Sequence, residues 1–407
     1  MLSFEAARAK VTEIVRVRAG SPETELVDIS EGPAQTLDRV LAEDVTADRD
    51  YPPFDRSTRD GYAVRAADVT QAGARLKLIG ESRAGVAFDG AVGAGECVRI
   101  LTGAAVPKGA DAVVMQEYAR VDGDSVALER ATTKGQNFVV AGAESRARDV
   151  LLLRGKRLGY AELAIAAQAG YAKLRVNRRP HVAILSTGDE VVDLNEAPGP
   201  YQIRNSNSVS LAAQVSCAGG EAVALGNARD EIAELRARIE RGLAEDVLVL
   251  SGGVSVGTYD LVEQALRELG AEFFFDSVAI RPGKPAVFGW CRGKPVFGLP
   301  GNPVSTMVTF ELFVALAIEM LSGTEPRPLF SKAKLAQAVS EKTPLAHFLP
   351  ARVSWDSGDP VVETIPWQGS GDVGAVVRGN CFLVVRGDRQ QLTAGEWVDI
   401  LPRRGII

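Results

Sequence analysis

A chain of 407 residues is longer than one ordinary domain, so two to four are expected at about 100–200 residues each. Its 46 basic and 52 acidic side chains give a formal charge of −6, which argues against the basic face of a nucleic-acid binder. Two histidines exclude a His-rich metal centre, so carboxylates, Lys/Arg, hydroxyls and backbone amides must carry any chemistry.

Residues 3–19 predict an amphipathic helix, with Ser3 as N-cap and Phe4, Ala7, Val11, Ile14 and Val15 on one face. The opening MLSFEAARAK lacks the apolar core of a signal peptide. Leu37 to Val45 reads as a short helix running into a strand, followed by the extended YPPFDRSTRDGYAV. From about Arg75 to Val140, short strand-like runs alternate with Gly, Pro and Asp clusters, the pattern of a small all-β unit. YAELAIAAQAG then predicts a helix closed by Gly170.

Between Arg179 and about Gly323 strands and helices alternate. HVAILSTGDE and DVLVLSGG are strands, and AVFGW and PVFGLPG are two more; helices are expected over 208–218, 230–243, 258–269 and 304–321. This pattern predicts a largely parallel, doubly wound sheet. The apolar run Val304 to Leu321 carries Glu311 and Glu319, so it is expected to be a buried helix and not a membrane span. After EPRP the runs ARVSW, VVETIPW, CFLVVRG and WVDILP predict a small C-terminal β domain or barrel. Cys97, Cys217, Cys291 and Cys381 match no zinc spacing and are expected as reduced, mostly buried thiols of a cytoplasmic protein.

In a parallel α/β sheet ligands collect at the carboxyl ends of the strands. LSTGDE places Ser186, Thr187 and Gly188 there, followed by Asp189 and Glu190. This is either a cradle for an anion beside a carboxylate for a cation, or an ordinary capped turn. LSGGVSVGTYD brings Gly252, Gly253 and Ser255 to a helix start, where amides favour phosphate. It is neither a Walker sequence nor GxGxxG, which disfavours ATPase and dinucleotide readings. Asp260, in the first turn of that helix, either complements the helix dipole or holds Mg²⁺. GLPGNPVS fixes a rigid helix entry with Pro300 and Pro303, and Asn302 as a candidate cap. IRPGKP carries Arg281 and Lys284, two cations able to clamp an oxyanion. Asp55 and Asp60 crowd PPFDRSTRDGYAV, more chemistry than a turn needs.

PPFDRSTRDGYAV, RILTGAAVPKGADAVV, GQN at 135–137, ILSTGDE, SGGVSVGTYD, RPGKP and GLPGNPVS together resemble the molybdopterin molybdenumtransferase family, MoeA in bacteria and the E domain of gephyrin in animals. The resemblance covers nearly the whole chain and implies a multidomain α/β plus β fold. Residues 1–60 with 145–178 would form an N-terminal linker and dimerisation domain, and 61–144 an inserted β domain. Residues 179–325 would be the doubly wound molybdopterin-binding domain, and 326–407 a small β barrel. It also implies a homodimer and a Mg²⁺-dependent reaction. Adenylylated molybdopterin and molybdate enter, the phosphoanhydride is cleaved, AMP leaves, and metal passes to the dithiolene.

By position the resemblance maps functional carboxylates to Asp60, Glu190, Asp230 and Asp260, and places Thr102 on the threonine of TGA. It places Pro300 and Pro303 on the metal-insertion loop, and Arg281, Lys284 and Arg352 on basic positions. Glu190 and Asp260 are expected to hold Mg²⁺; Asp60 and Thr102 are expected to act from the partner subunit or across a cleft. The adenylyltransferase and apo-molybdoenzymes are the implied protein partners; nucleic acid and membrane are not expected. Glu144, Ser277 and Gly374 depart from the family pattern. Two alternatives stay open: a scaffold with impaired catalysis, and a tungstate-inserting paralogue.

Overall fold

The computed structural model describes residues 1–406 apart from 254–258, 343, 356–357 and 390; the side chains of Tyr259 and Asp260 also lie outside it. The chain forms two compact units. One comprises Met1–Leu26, Asp38–Ala42 and Arg175–Ile407, the other Val27–Leu37 and Glu43–Leu174.

Helix α1 (Phe4–Arg18) begins as the pattern predicts, with the Ser3 hydroxyl accepting from Ala6 N. Its apolar face, Phe4 to Val15, is buried in the core of the larger unit, although the sequence groups it with residues 1–60. The segment Leu37 to Val45 contains no helix. Pro33 instead starts a single helical turn, Pro33–Thr36, and Asp38 adopts a left-handed φ of 62° that stops it.

The smaller unit contains β1 (Gly61–Val64), β2 (Ala74–Ser82), β3 (Glu96–Ile100), β4 (Ala112–Met115), β5 (Ala119–Asp122) and β6 (Ser125–Leu128). They form one sheet in the order β4-β1-β3-β2-β6-β5, antiparallel except between β2 and β3. Alternation along each strand sends Tyr62, Val64, Cys97, Val114 and Val126 to one core and Ala63, Ile100 and Val113 to the other side. Gly61 is required because a Cβ there would lie 1.9 Å from the Val114 carbonyl oxygen. Helix α2 (Tyr160–Gln168) ends before Gly170, whose φ of 85° is the left-handed turn expected of it.

In the larger unit the α/β layer runs β7 (His181–Thr187), α3 (Ser206–Cys217), β8 (Glu221–Ala228), α4 (Ile232–Gly242), β9 (Val247–Ser251), α5 (Tyr259–Glu268), β10 (Glu272–Phe275), β11 (Val287–Cys291) and β12 (Lys294–Leu299). The helical run Pro303–Leu321, α6, follows, with a π turn at Phe310–Val314. Sheet order is β8-β7-β9-β12-β11-β10, and only β11 runs against the rest. The period of two divides the core. Val182, Ile184, Val247, Val249 and Phe297 face α1, α3 and α6, whereas Ala183, Leu185, Leu248 and Leu250 face α4 and α5. Helix α6 is long and apolar enough to cross a membrane, but most of it is buried in this core. Strand β10 was not legible: only the Leu269–Gly270 turn separates it from α5, and its run of three phenylalanines does not alternate.

The C-terminal part closes a five-stranded barrel from β13 (Ser331–Leu335), β14 (Ala346–Ser354), β15 (Val361–Thr364), β16 (Cys381–Val385) and β17 (Trp397–Pro402). Closure comes from the β14–β16 pairing. Helix α7 (Val373–Arg378) lies between β15 and β16. Leu349, Val353, Leu383 and Ile400 fill the barrel, while Phe348, Phe382, Val384 and Leu401 pack outward into the α/β core. Ile280–Arg281 adds a short parallel strand to β14 at Ala346–His347. All four cysteines are free; Cys97, Cys291 and Cys381 are buried and Cys217 is exposed.

Candidate functional site

The carboxyl ends of β7, β9 and β12 stand side by side and build one rim. Ser186 is buried and donates to Asn205 Oδ1 (3.1 Å), which also caps α3 by accepting from Ser208 N. Asn207 donates to Ser251 Oγ (2.9 Å) and to the Gly301 carbonyl (2.8 Å), tying the end of β9 to the loop after β12. Gly252 and Gly253 leave β9 with φ of 91° and 69° and lie against Thr187. The Thr187 hydroxyl and Asn207 Oδ1 are buried without a hydrogen-bond partner among the described residues. Such orphaned groups are rare in native interiors and call for a polar ligand, ion or water to satisfy them.

Beside this rim a cleft of about 790 Å³ opens between the α/β layer and the barrel. Arg281, Lys284, Pro300, Asn302 and Ser305 line it from the α/β side; Glu341, His347, Trp367 and the Gly369–Ser370–Gly371 turn line it from the barrel side. Asn302 occupies the N-cap of α6, but its side chain accepts no capping bond. The Ser370 carbonyl takes the Val304 N–H instead (3.0 Å), so the barrel turn closes onto the helix entry. Pro303 is the first helical residue, as its fixed φ favours.

On the other side of β7, Asp189, Glu190 and Asp230 gather. Gly188 turns at φ 129°, with the Glu190 carboxylate against it, and Asp189 Oδ1 lies 3.5 Å from Asp230 N. Burial, then Asp189 and then Glu190, push the Asp230 carboxyl above the usual carboxylate range. A divalent cation would relieve that crowding, so the donor chemistry fits Mg²⁺. Among the described residues, however, no three such side chains converge at metal-binding distance. Asp260 lies at the start of α5 with its side chain outside the description, as does Ser255 altogether.

Arg352 is exposed on β14 opposite Glu363 and does not line the cleft, because alternation turns it away from that face of the strand. In the smaller unit, Asp60 Oδ1 accepts from both Thr102 N and Thr102 Oγ1 at 2.7 Å, bonds that hold its carboxyl below the usual range. Glu144 pairs with Arg56 at 2.8 Å, and Ser277 donates to Asp276. Sequence reasoning missed Asn205, Asn207, His347, Trp367 and Ser370. The Asn-Ser-Asn-Ser run from Asn205 to Ser208, at the start of α3, carries a capping signal that would have exposed the first two. The others come together only by barrel closure.

Three family models match in order: a MoeA N-terminal region (domains I and II) over 2–170, a probable molybdopterin binding domain over 183–320, and a MoeA C-terminal region (domain IV) over 332–402. The chain is 34% identical over 373 residues to the molybdopterin molybdenumtransferase of Staphylococcus aureus, covering 90% of this chain and 89% of that one. It is 34% identical over 389 residues to the enzyme of that name from Bacillus subtilis, covering 93% and 90%. A crystal structure of a molybdopterin biosynthesis MoeA protein from Pyrococcus horikoshii superposes with TM-score 0.79 at 35% identity, over 97% of this chain and 98% of that one. Coverage of this extent by relatives and models alike shows that the chain belongs to the molybdopterin molybdenumtransferase (MoeA) family.

Proposed function

We propose that the protein inserts molybdate into adenylylated molybdopterin with release of AMP, giving molybdenum cofactor. The observation that carries this reading is the pairing of two anion-seeking sites on one rim: the glycine turn at the end of β9 and the Arg281/Lys284 cleft beside it. A pyrophosphate suits the first, where Gly252 and Gly253 carry no side chains and the Thr187 hydroxyl has no hydrogen-bond partner among the described residues. Ser186 and Gly188 shape the same rim; Ser255, which lies outside the described residues, is kept in this reading as a phosphate-binding residue. A tetrahedral dianion suits the second, where Arg281 and Lys284 supply charge and Ser305 and Ser370 supply hydroxyls. Pro300 and Pro303 keep that wall stiff, which holds the oxyanion close to the dithiolene without reorganisation.

Glu190 and Asp260, with Asp230 nearby, would hold Mg²⁺. The ion would supply charge neutralisation at the phosphoanhydride. This chain's own part is to gather the acidic side chains after β7, where the crowding that raises the Asp230 carboxyl favours a cation. The same reading includes a cytoplasmic homodimer and keeps Asp60 and Thr102 as functional residues of the smaller unit. Arg352 remains a candidate for attracting anionic substrate from outside the cleft.

The test is to incubate the purified protein with adenylylated molybdopterin, Mg²⁺ and molybdate, then assay AMP and reconstitution of an apo-molybdoenzyme. AMP release that ignores molybdate would sink the reading. Replacing molybdate by tungstate in the same assay settles the choice of oxyanion. Glu190→Gln is expected to raise the Mg²⁺ concentration needed for half-maximal AMP release by at least about tenfold. An unchanged Mg²⁺ dependence would remove Glu190 from the metal site.

A further inference from the structure

His347 sits at the barrel wall of the cleft, opposite Arg281 in the short parallel pairing, with a side chain only 4% exposed. Its ring lies beside Trp367, with centroids 6.2 Å apart. Nδ1 is 2.8 Å from Glu341 Oε2, close enough for an ion pair, yet neither ring nitrogen makes a well-directed hydrogen bond among the described residues. With Glu341 beside Nδ1 and no hydrogen-bond partner for Nε2 among the described residues, this buried imidazole on the wall of a cleft that already carries two cations has a ring nitrogen to offer an acceptor.

We propose that His347 donates a ring N–H to the tetrahedral oxyanion gathered by Arg281 and Lys284, with Glu341 balancing the charge of the protonated ring. The inference rests on the reading of this cleft as the molybdate site and adds a proton to its binding. The charged groups facing the ring are Glu341, on the segment before β14, and Arg281, on the strand beside it; Lys284 lines the same cleft. Trp367 and the neighbouring Val385 on β16 bring no charge.

In the free protein, burial and, to a smaller extent, Arg281 hold the imidazole below its ordinary pKa of 6.5, against the pull of Glu341. A bound dianion adds a second negative neighbour and favours the imidazolium. Binding and protonation then reinforce each other by the same factor. Affinity is greatest toward acid and falls as pH rises through the pKa of the bound state.

The chain has only two histidines, so NMR of the imidazole C2 protons resolves the question directly. His181 lies at the opposite end of β7, and His181→Gln assigns the two signals. Full-length protein is titrated from about pH 5 to 8 without molybdate and with molybdate at a concentration low enough for the oxyanion to stay mononuclear. Molybdate is expected to raise the His347 pKa by about one unit, equivalent to about tenfold tighter binding to the protonated ring, and to leave His181 unmoved. Calorimetric molybdate affinity of His347→Gln should lose most of its pH slope, with an unchanged melting temperature as the check on folding. Glu341→Gln should alter the rise without removing the binding. A His347 signal that ignores bound molybdate, or a wild-type pH slope in His347→Gln, overturns the inference. If Lys284→Ala weakens molybdate while His347 stays silent, the cleft assignment survives alone; affinity indifferent to both Arg281→Ala and Lys284→Ala overturns both.

Discussion

Arg404→Ala should lose about 3–5 kcal/mol of stability, measured by urea unfolding, because it strands two buried carboxylates. Arg404 Nε and Nη1 lie 2.7 Å from Glu311 Oε2 and Glu319 Oε1, whose side chains are 7% and 2% exposed. Gln214 and the Arg327 N–H complete the carboxylate bonding, and Arg8, whose pKa burial lowers to about 10, donates to the Leu312 carbonyl one residue from Glu311. Burial already pushes Glu311 above the usual carboxylate range, and Arg404 is the main force opposing it. Without Arg404 that carboxyl keeps its proton to higher pH. A group whose folded pKa is raised contributes stability at low pH and loses it as pH rises through the folded value. The variant should therefore be closest to wild type near about pH 5 and furthest from it near about pH 8. Arg404→Lys keeps the charge but cannot reach both carboxylates with one planar fork, so a smaller loss is expected. Equal losses for both variants at every pH would show that packing, not the ion network, decides.

The second large effect falls on the rim. Gly252→Ala is expected to reduce AMP release by about a hundredfold, because displacing a substrate cradle by about 1 Å has that consequence. The residue sits at φ 91°, and an added Cβ would lie 2.6 Å from the Thr187 carbonyl oxygen. The left-handed backbone alone costs an L residue about 1–2 kcal/mol. The contact is with backbone, so relief requires the ends of β7 and β9 to part. Gly219→Ala separates the two causes: its φ is 90°, but open space surrounds the new methyl. That variant should lose stability to a similar strain and keep its activity. Comparable activity losses in the two would mean that strain, not the geometry of the rim, governs the reaction.

Periodic elements were legible because one physical rule decided each of them. The buried face of α1 follows its helical spacing residue for residue, and the apolar runs of β7 and β9 are buried on both faces as parallel strands require. Helix α3 starts at Ser206 rather than near Ser208, because Asn205 supplies the cap. What pattern could not show was long-range pairing. Ile280–Arg281 reads as a loop between strands, yet it borrows its partner from β14, more than sixty residues onward. His347 reads as an ordinary strand residue until barrel closure sets it in the cleft. Arg352 shows the converse, a cation of suitable type whose strand parity points it elsewhere.

The hydrogen bonds joining Ile280–Arg281 to the first half of β14 also determine what the barrel is. Excised before residue 326, it would lose the short strand that pairs with Ala346 and His347 and leave backbone groups bare there. Phe348, Phe382, Val384 and Leu401 would be wetted at the same time. Such a fragment would adhere to its own copies. The barrel is therefore expected to make a poor portable cassette: the preceding layer covers its apolar outer face, and the same junction walls the cleft.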